Sequence, residues 1–356
     1  MRLIYHFKKN RLPFLLITIL LLIGLLCSAC DSMAPPDNKE IAKKVEQAIT
    51  SSGQGITPTP QVANENGNSA LIASNTASSK DSFVFDVFGD SKILPERENW
   101  QGNMVLAESI SQINQDHPAL AIYLGDGVDQ GGPIENMKCF RSYMSNLNAS
   151  WYPVIGNHEL VDGAESSGQG GNGEYNFQQV FSDKLLMRGV SYYSFDYLNS
   201  HFIILDTAWQ NGNAPPEAEL KPGGKQWAWL CQDLAAARPR SKHIFIFGHK
   251  PPLSPFQAGG PDTVTNMTDG HGSSWGNPDD AAEFMKLAVT YKIDAVFSGH
   301  IHIYSRMDMQ GIPYFITAGA GAGLYAPPES GGYYHYMRCR VAGGQVEFEI
   351  VKIPGM

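Results

Sequence analysis

The sequence predicts a mixed α/β fold with two groups of strands, and three observations carry that reading. Strand-like apolar runs alternate with amphipathic helical runs through the first half of the folded region. A hairpin-like pair in the middle and a strand-rich close break that alternation into a second group. Five of the strand-like runs also stop on a glycine that is followed directly by Asp, Asn or His.

The elements follow in order. SFVFDVFG from Ser82 reads as a strand, MVLAESISQINQ from Met104 as an amphipathic helix, and ALAIYLG from Ala119 as a strand. ENMKCFRSYMSNL from Glu135 is a helix and SWYPVIG from Ser150 a strand, which is the order of βαβ units feeding one sheet. VSYYSFDYL and HFIILDTA form a hairpin with its turn at Asn199-Ser200. KQWAWLCQDLAAA is a helix, KHIFIFG a strand and PDDAAEFMKLAVTYK the last helix. IDAVFSG, IPYFITAG, YYHYMRCRVAG and QVEFEIVKI close the chain as strands.

The first 80 of the 356 residues stand apart from this pattern. Arg2, Lys8, Lys9 and Arg11 precede a 13-residue apolar run, Phe14 to Leu26, shorter than the roughly 20 residues a spanning helix needs. Residues 1–30 therefore read as a secretory signal, and its end, CSAC, resembles a bacterial lipobox with Cys27 where leucine is typical. Acylation of Cys30 would make it the new N-terminus and tether an exported chain to the cell envelope. Residues 31–80 are rich in Ser, Asn, Thr, Pro, Gln and Gly, bury too little to offset their ordering entropy, and read as a disordered tether. Residues 81–356 are long enough for one domain with a substantial core.

Composition narrows the partners. Formal net charge is −9, and about −13 without the basic leader, which argues against affinity built on counterion release from nucleic acid and for small substrates. Beyond Cys30 only Cys139, Cys231 and Cys339 remain, too few and too scattered for a disulfide framework, with no C-x-x-C pair for structural zinc. One disulfide with a leftover thiol, or three thiols, fits equally.

The five strand ends carry Asp90 in FGDSK, Asp126 in LGDGVD, Asn157 and His158 in IGNHE, His249 in FGHKPP, and His300 and His302 in SGHIHIY. Parallel strands present their C-terminal ends on one side, so these residues converge on one crevice. Carboxylate, amide oxygen and imidazole form a mixed oxygen and nitrogen set suited to Mn, Fe, Zn or Co. Two such ions about 3.5–4 Å apart can clamp both oxygens of an in-line displacement at phosphorus.

The ordered motifs GD, GD, GNHE, GH and GHxH resemble those of the calcineurin-like metallophosphoesterase superfamily. That resemblance implies a four-layer αββα sandwich, two packed mixed sheets flanked by helices. It implies two divalent or trivalent ions (Mn, Fe or Zn) with Asp126 bridging them, Asp90 and His302 on the first, and Asn157, His249 and His300 on the second. His158 resembles the residue that assists the leaving oxygen. The implied activity is phosphoester hydrolysis by in-line attack of a hydroxide held between the metals, monoesters slightly ahead of diesters; the rival is a non-catalytic envelope lipoprotein that keeps the fold. The chain departs from the commoner D-x-H first motif, since Lys92 stands two places after Asp90. Purple acid phosphatases also lack that histidine and use a tyrosine three places after the bridging aspartate, where this chain has Asp129. A role beside the metal site, or in a turn, is favoured for Asp129 over direct ligation.

Residues i and i+2 point to opposite sides of a regular strand, so GHIH serves two metals only if the backbone turns there. His117, His201, His243 and His335 read as surface or core histidines, and His271, in a polar insertion, as a loop residue near the crevice. GSSWG around Ser274 matches G-x-S-x-G without the strand that a nucleophile elbow requires. GAGAG at 319–323 precedes no helix that could receive a phosphate and reads as a tight loop beside the site. The aromatic runs read as sheet packing.

Overall fold

The computed structural model describes residues 81–160, 172–209, 214–256 and 272–355. The leader, the tether and His271 lie outside the described residues. The chain enters through β1 (Ser82–Phe88), α1 (Gln101–Asp116), β2 (Leu120–Tyr123), α2 (Ile134–Met144) and β3 (Ser150–Pro153). A helix, α3 (Gly173–Val180), leads to the hairpin of β4 (Tyr193–Tyr197) and β5 (Ser200–Ile204). Then come α4 (Lys225–Ala237), β6 (His243–Phe247), α5 (Pro278–Thr290) and β7 (Ala295–Ser298). The close is β8 (Tyr304–Met309), β9 (Ile312–Thr317), β10 (His335–Ala342) and β11 (Gln345–Lys352).

The strands form two mixed sheets, ordered β11-β10-β1-β2-β3 and β4-β5-β6-β7-β9-β8. β1, β2 and β3 run parallel, as do β5, β6, β7 and β9. β10 pairs antiparallel with β1, placing Cys339 opposite Phe85.

Strand alternation decides what each face buries. From β1, Phe83, Phe85 and Val87 enter a core shared with Leu120 and Ile122 of β2, Phe202 and Ile204 of β5, Phe245 and Phe247 of β6, and Phe297 of β7. Phe85 meets Phe202 edge-on at 5.2 Å, which is one of the aromatic contacts that join the two sheets. The opposite face of the first sheet, with Phe88, Ala121 and Tyr123, packs on Val105, Leu106, Ile110 and Ile113 of α1 and on Met137, Phe140 and Met144 of α2. The outer face of the second sheet, with Ile203, Ile244, Ile246 and Val296, packs on Leu230 and Leu234 of α4 and Ala281 and Phe284 of α5. The result is the expected four layers, αββα. Each fully buried phenylalanine contributes about 1.5–3 kcal/mol of transfer free energy, so the inter-sheet layer holds the sandwich together.

Local signals fix the helix ends. α5 starts where the Asn277 side chain accepts the Asp279 N–H, with Pro278 at the first position and two carboxylates in the first turn.

Several expectations need correction. The hairpin loop is Leu198-Asn199, one residue earlier than expected, because Tyr197 pairs with Ser200. β8 was not expected: it is a sheet edge whose residues are mostly half-exposed, so YSRMDM lacks an apolar run. The short α3, which starts on Gly173, was not expected either. Of the two alternatives left open for Cys139, Cys231 and Cys339, the structure has the one without a disulfide. Among the described residues, no helix is long and apolar enough to cross a membrane.

Near the start of β5, His201 is buried with both ring nitrogens against carboxylates. Nδ1 lies 2.6 Å from Asp196 Oδ1 and Nε2 lies 2.8 Å from Asp233 Oδ2. Only an imidazolium donates at both positions. Burial by itself pushes its pKa down, but the hydrogen bonds to Asp233 and Asp196 outweigh burial and the pKa is raised. A histidine raised in the folded state contributes stability that is complete below its unfolded value, about 6.5, and is lost as pH rises through the folded value. In urea titrations the wild type is expected to lose stability as pH rises through that window, and His201→Gln to show a shallower loss. The variant should cost about 1–3 kcal/mol on the acid side, and parallel pH profiles would contradict this assignment.

Candidate metal centre

The parallel strands of both sheets end at one place. Asp90 follows β1, Asp126 follows β2, Asn157 and His158 follow β3, His249 follows β6, and His300 follows β7. Two hydrogen bonds tie the sheets there: the His300 N–H donates to Asp90 Oδ1 at 2.9 Å and His249 Nδ1 donates to the Leu124 carbonyl at 2.8 Å.

Three of the candidate ligand residues sit at the turns themselves. Asp90, Asp126 and His300 have φ of 66°, 52° and 69°, left-handed conformations that cost a non-glycine residue and that cluster at functional sites. Most of the preceding glycines serve close approach instead. A Cβ on Gly156 would lie 2.3 Å from Asp126 Oδ1, and one on Gly299 would lie 2.4 Å from Asp90 Oδ2. The sharp turn at His300 is the break in GHIH that lets His300 and His302 face different clusters.

Donor atoms gather in two groups that share Asp126: Asp90, Asp126 and His302 in one, Asp126, His249 and His300 in the other, all buried. Within each group the ligand atoms lie within 4.8 Å of one another. Asn157 belongs with the second, since its Oδ1 is 3.0 Å from His249 Nε2, which is itself 3.2 Å from Asp126 Oδ1. The structure thus brings together Asp90, Asp126, Asn157, His249, His300 and His302, with His158 beside them.

Charge and orphaned atoms test whether cations fit. Asp90 Oδ2, Asp126 Oδ2 and His302 Nε2 are buried and make no hydrogen bond, a costly arrangement unless a cation completes it. Burial pushes Asp90 up to about 8. Burial opposes ionisation of Asp126 too, yet the His249 and His158 imidazoles hold its pKa well below the usual value. His249 would fall on burial alone, but the Asp126 carboxylate brings it up to about 9. His302 is lowered to about 4 by burial and then by the Lys92 ammonium, and His300 is lowered well below its usual value by burial and then by His249. Neutral imidazoles are the form that ligates metal. Carbonyls orient two of the three rings, Leu124 holding His249 Nδ1 and Gly323 holding His302 Nδ1 at 2.7 Å, which aims each Nε2 at its cluster. Two buried carboxylates, three imidazoles and an amide oxygen fit a pair of metal ions of the mixed-ligand type.

Other residues frame the centre. Glu159, buried, accepts the Asp126 and Gly156 N–H groups on Oε2 at 2.8 and 2.7 Å and the Gly127 N–H on Oε1 at 2.8 Å. It is a clamp between the ends of β2 and β3, and the motif alone did not separate that role from chemistry. The Asp129 carboxylate faces His158, with Oδ1 3.6 Å from Nδ1, while the Asp129 carbonyl accepts from the same nitrogen at 2.7 Å. The 319–323 loop closes the side: the Ala320 and Ala322 N–H groups donate to the carbonyls of Gly89 and Asp90. Ser274 lies in a bend before α5, after an isolated bridge at Gly272, and no strand among the described residues leads into it. Lys92 extends to the shared carboxylate, its Nζ 3.7 Å from Asp126 Oδ2.

Two packed mixed sheets with a candidate paired-cation donor set at their common edge define a fold of the metallo-dependent phosphatase type. The chain belongs to the calcineurin-like phosphoesterase family, whose model matches residues 85–304. An acid phosphatase of Aspergillus ficuum is 24% identical over 270 residues, 62% of this chain and 38% of the relative. Purple acid phosphatase PPD1 from yellow lupin superposes with a TM-score of 0.61 at 18% identity, covering 78% of this chain and 52% of that one. A dimetal phosphatase from Danio rerio superposes at 0.51 with 13% identity, covering 76% and 96%. The chain therefore spans well under two thirds of the fungal relative and about half of the lupin protein.

Glu159→Gln replaces one acceptor oxygen with a donor that must face a backbone N–H. It is expected to lower stability by about 1–3 kcal/mol and to weaken metal binding, read by thermal unfolding and calorimetric titration with Mn²⁺. Wild-type values for both would contradict the clamp.

Proposed function

We propose that this chain is a metal-dependent phosphoesterase acting on small phosphorylated substrates, with phosphomonoesters favoured over diesters. The observation that carries the reading is the pair of buried donor clusters sharing Asp126, with orphaned carboxylate oxygens, where the strands of both sheets end. Family membership supports it, and the name of the fungal relative, acid phosphatase, supports the monoester preference. On this reading Asp90, Asp126 and His302 hold one metal ion, and Asp126, Asn157, His249 and His300 the other. When bound, such a pair supplies positive charge to the phosphoryl oxygens and lowers the pKa of water.

The chain's own residues orient the rest. His158 donates from Nδ1 to the Asp129 carbonyl, a contact that fixes the ring and leaves Nε2 towards Asp126 Oδ2, 3.9 Å away. Its side chain is 26% exposed, open enough to meet a substrate from the solvent side. From that position Nε2–H of the imidazolium gives its proton to the departing alcohol oxygen, with the Asp129 carboxylate steadying the charge. Export and attachment to a bacterial envelope through Cys30 belong to the same proposal and rest on the leader's pattern alone.

The test is hydrolysis of p-nitrophenyl phosphate and bis(p-nitrophenyl) phosphate across added Mn²⁺, Fe²⁺ and Zn²⁺, alongside metal analysis. Activity on the monoester is expected to depend on metal and to disappear in Asp126→Asn. In His158→Asn, kcat should drop about 10²- to 10⁴-fold with metal content retained. A protein that binds no metal and hydrolyses neither ester would support the non-catalytic alternative, and faster diester turnover would reverse the substrate preference.

A further inference from the structure

Lys92 is the residue at which this chain leaves the commoner first motif, and the structure shows where its charge goes. Its backbone is held on both sides: the Lys92 N–H donates to the Asp126 carbonyl at 2.9 Å, and its own carbonyl accepts the Trp100 indole N–H at 3.0 Å. With φ at 46°, the residue turns its side chain back over the strand ends. The ammonium reaches within 3.7 Å of Asp126 Oδ2, beyond hydrogen-bond distance, and among the described residues it makes no other ion pair. The side chain remains 17% exposed, whereas the carboxylate beside it is buried.

An ammonium has three donors and no lone pair, so it cannot ligate a metal as the imidazole two places after the first aspartate would. Placed beside the shared carboxylate, and spending no donor on a hydrogen bond among the described residues, it is within reach of an oxyanion that enters there. We propose that Lys92 is a phosphate-contacting residue, donating to a non-bridging oxygen of the substrate's phosphoryl group and of the inorganic phosphate product. A flexible, compact point charge suits an oxygen whose position shifts during reaction. The inference rests on the phosphoesterase reading and adds to it a substrate contact supplied by protein in place of a second imidazole nitrogen on the first metal.

The probe is inorganic phosphate, titrated calorimetrically into the metal-loaded full chain of wild type, Lys92→Met and Lys92→Arg, with metal content measured by mass spectrometry. Lys92→Met, uncharged and of similar length, is expected to keep the wild-type metal content and to bind phosphate about tenfold or more weakly, the loss of one charge-assisted hydrogen bond. Its KM for the monoester should rise in step, and Lys92→Arg should restore most of the phosphate affinity. Unchanged phosphate affinity in Lys92→Met overturns the inference while leaving a metal-loaded, active wild type, and so the phosphoesterase reading, intact. A change in metal content that accounts for the phosphate effect also overturns it, since Lys92 would then act on the cation. A wild type that neither loads metal nor hydrolyses ester overturns both.

Discussion

Asp126 is withdrawn from water at the point where both sheets end, and a carboxylate that stays ionised there needs positive charge close by. His249 at 3.2 Å, the His158 backbone N–H at 2.9 Å and Lys92 at 3.7 Å surround it in the protein itself. Its remaining orphaned oxygen asks for more. Much of the local architecture follows from that one group. Glu159 fixes the Asp126 backbone, Gly156 leaves room for its oxygen, and the left-handed turns aim Asp90 and His300 at the same space. A buried carboxylate pair is a poor way to stabilise a fold and a good way to hold cations, which is why the site's strain is confined to the strand ends.

The two-sheet sandwich makes this arrangement affordable. The aromatic layer between the sheets, where Phe85 meets Phe202 and Phe245, sets their separation through ring contacts. Three parallel strands of one sheet and the parallel strands of the other then deliver candidate ligands to one edge from opposite sides. His249 and His300 come from the second sheet, Asp90, Asp126 and Asn157 from the first. The cross-sheet hydrogen bonds, His300 N–H to Asp90 and His249 to Leu124, register the two halves at the site.

Much of this was legible in the sequence, for identifiable reasons. The β1 segment SFVFDVFG announces itself because its alternate residues are sorted between two apolar layers, and the ligand types stand directly after glycines. β8 was not legible because an edge strand with half-exposed residues carries no apolar alternation, and α3 because Gly173 opens it. The pairing of β1 with β10 joins residues some 250 apart, which no local pattern reports. In the site, the role of the glycines was only half visible. Left-handed turns fall on Asp90, Asp126 and His300, the residues that follow three of them, and on Gly125 itself, while the glycines at 156 and 299 make space for carboxylate oxygens. The roles of Glu159 and Asp129 depend on which way a side chain points at a loop, as does the reach of Lys92, and spacing does not encode that.

The central claim is that one carboxylate, Asp126, sits between two cation positions. Anomalous diffraction from crystals grown with Mn²⁺ tests it most directly. The account predicts two peaks about 3.5–4 Å apart, one among Asp90, Asp126 and His302 and the other among Asp126, Asn157, His249 and His300. A single peak, or a pair of which either lies out of reach of Asp126, would contradict it.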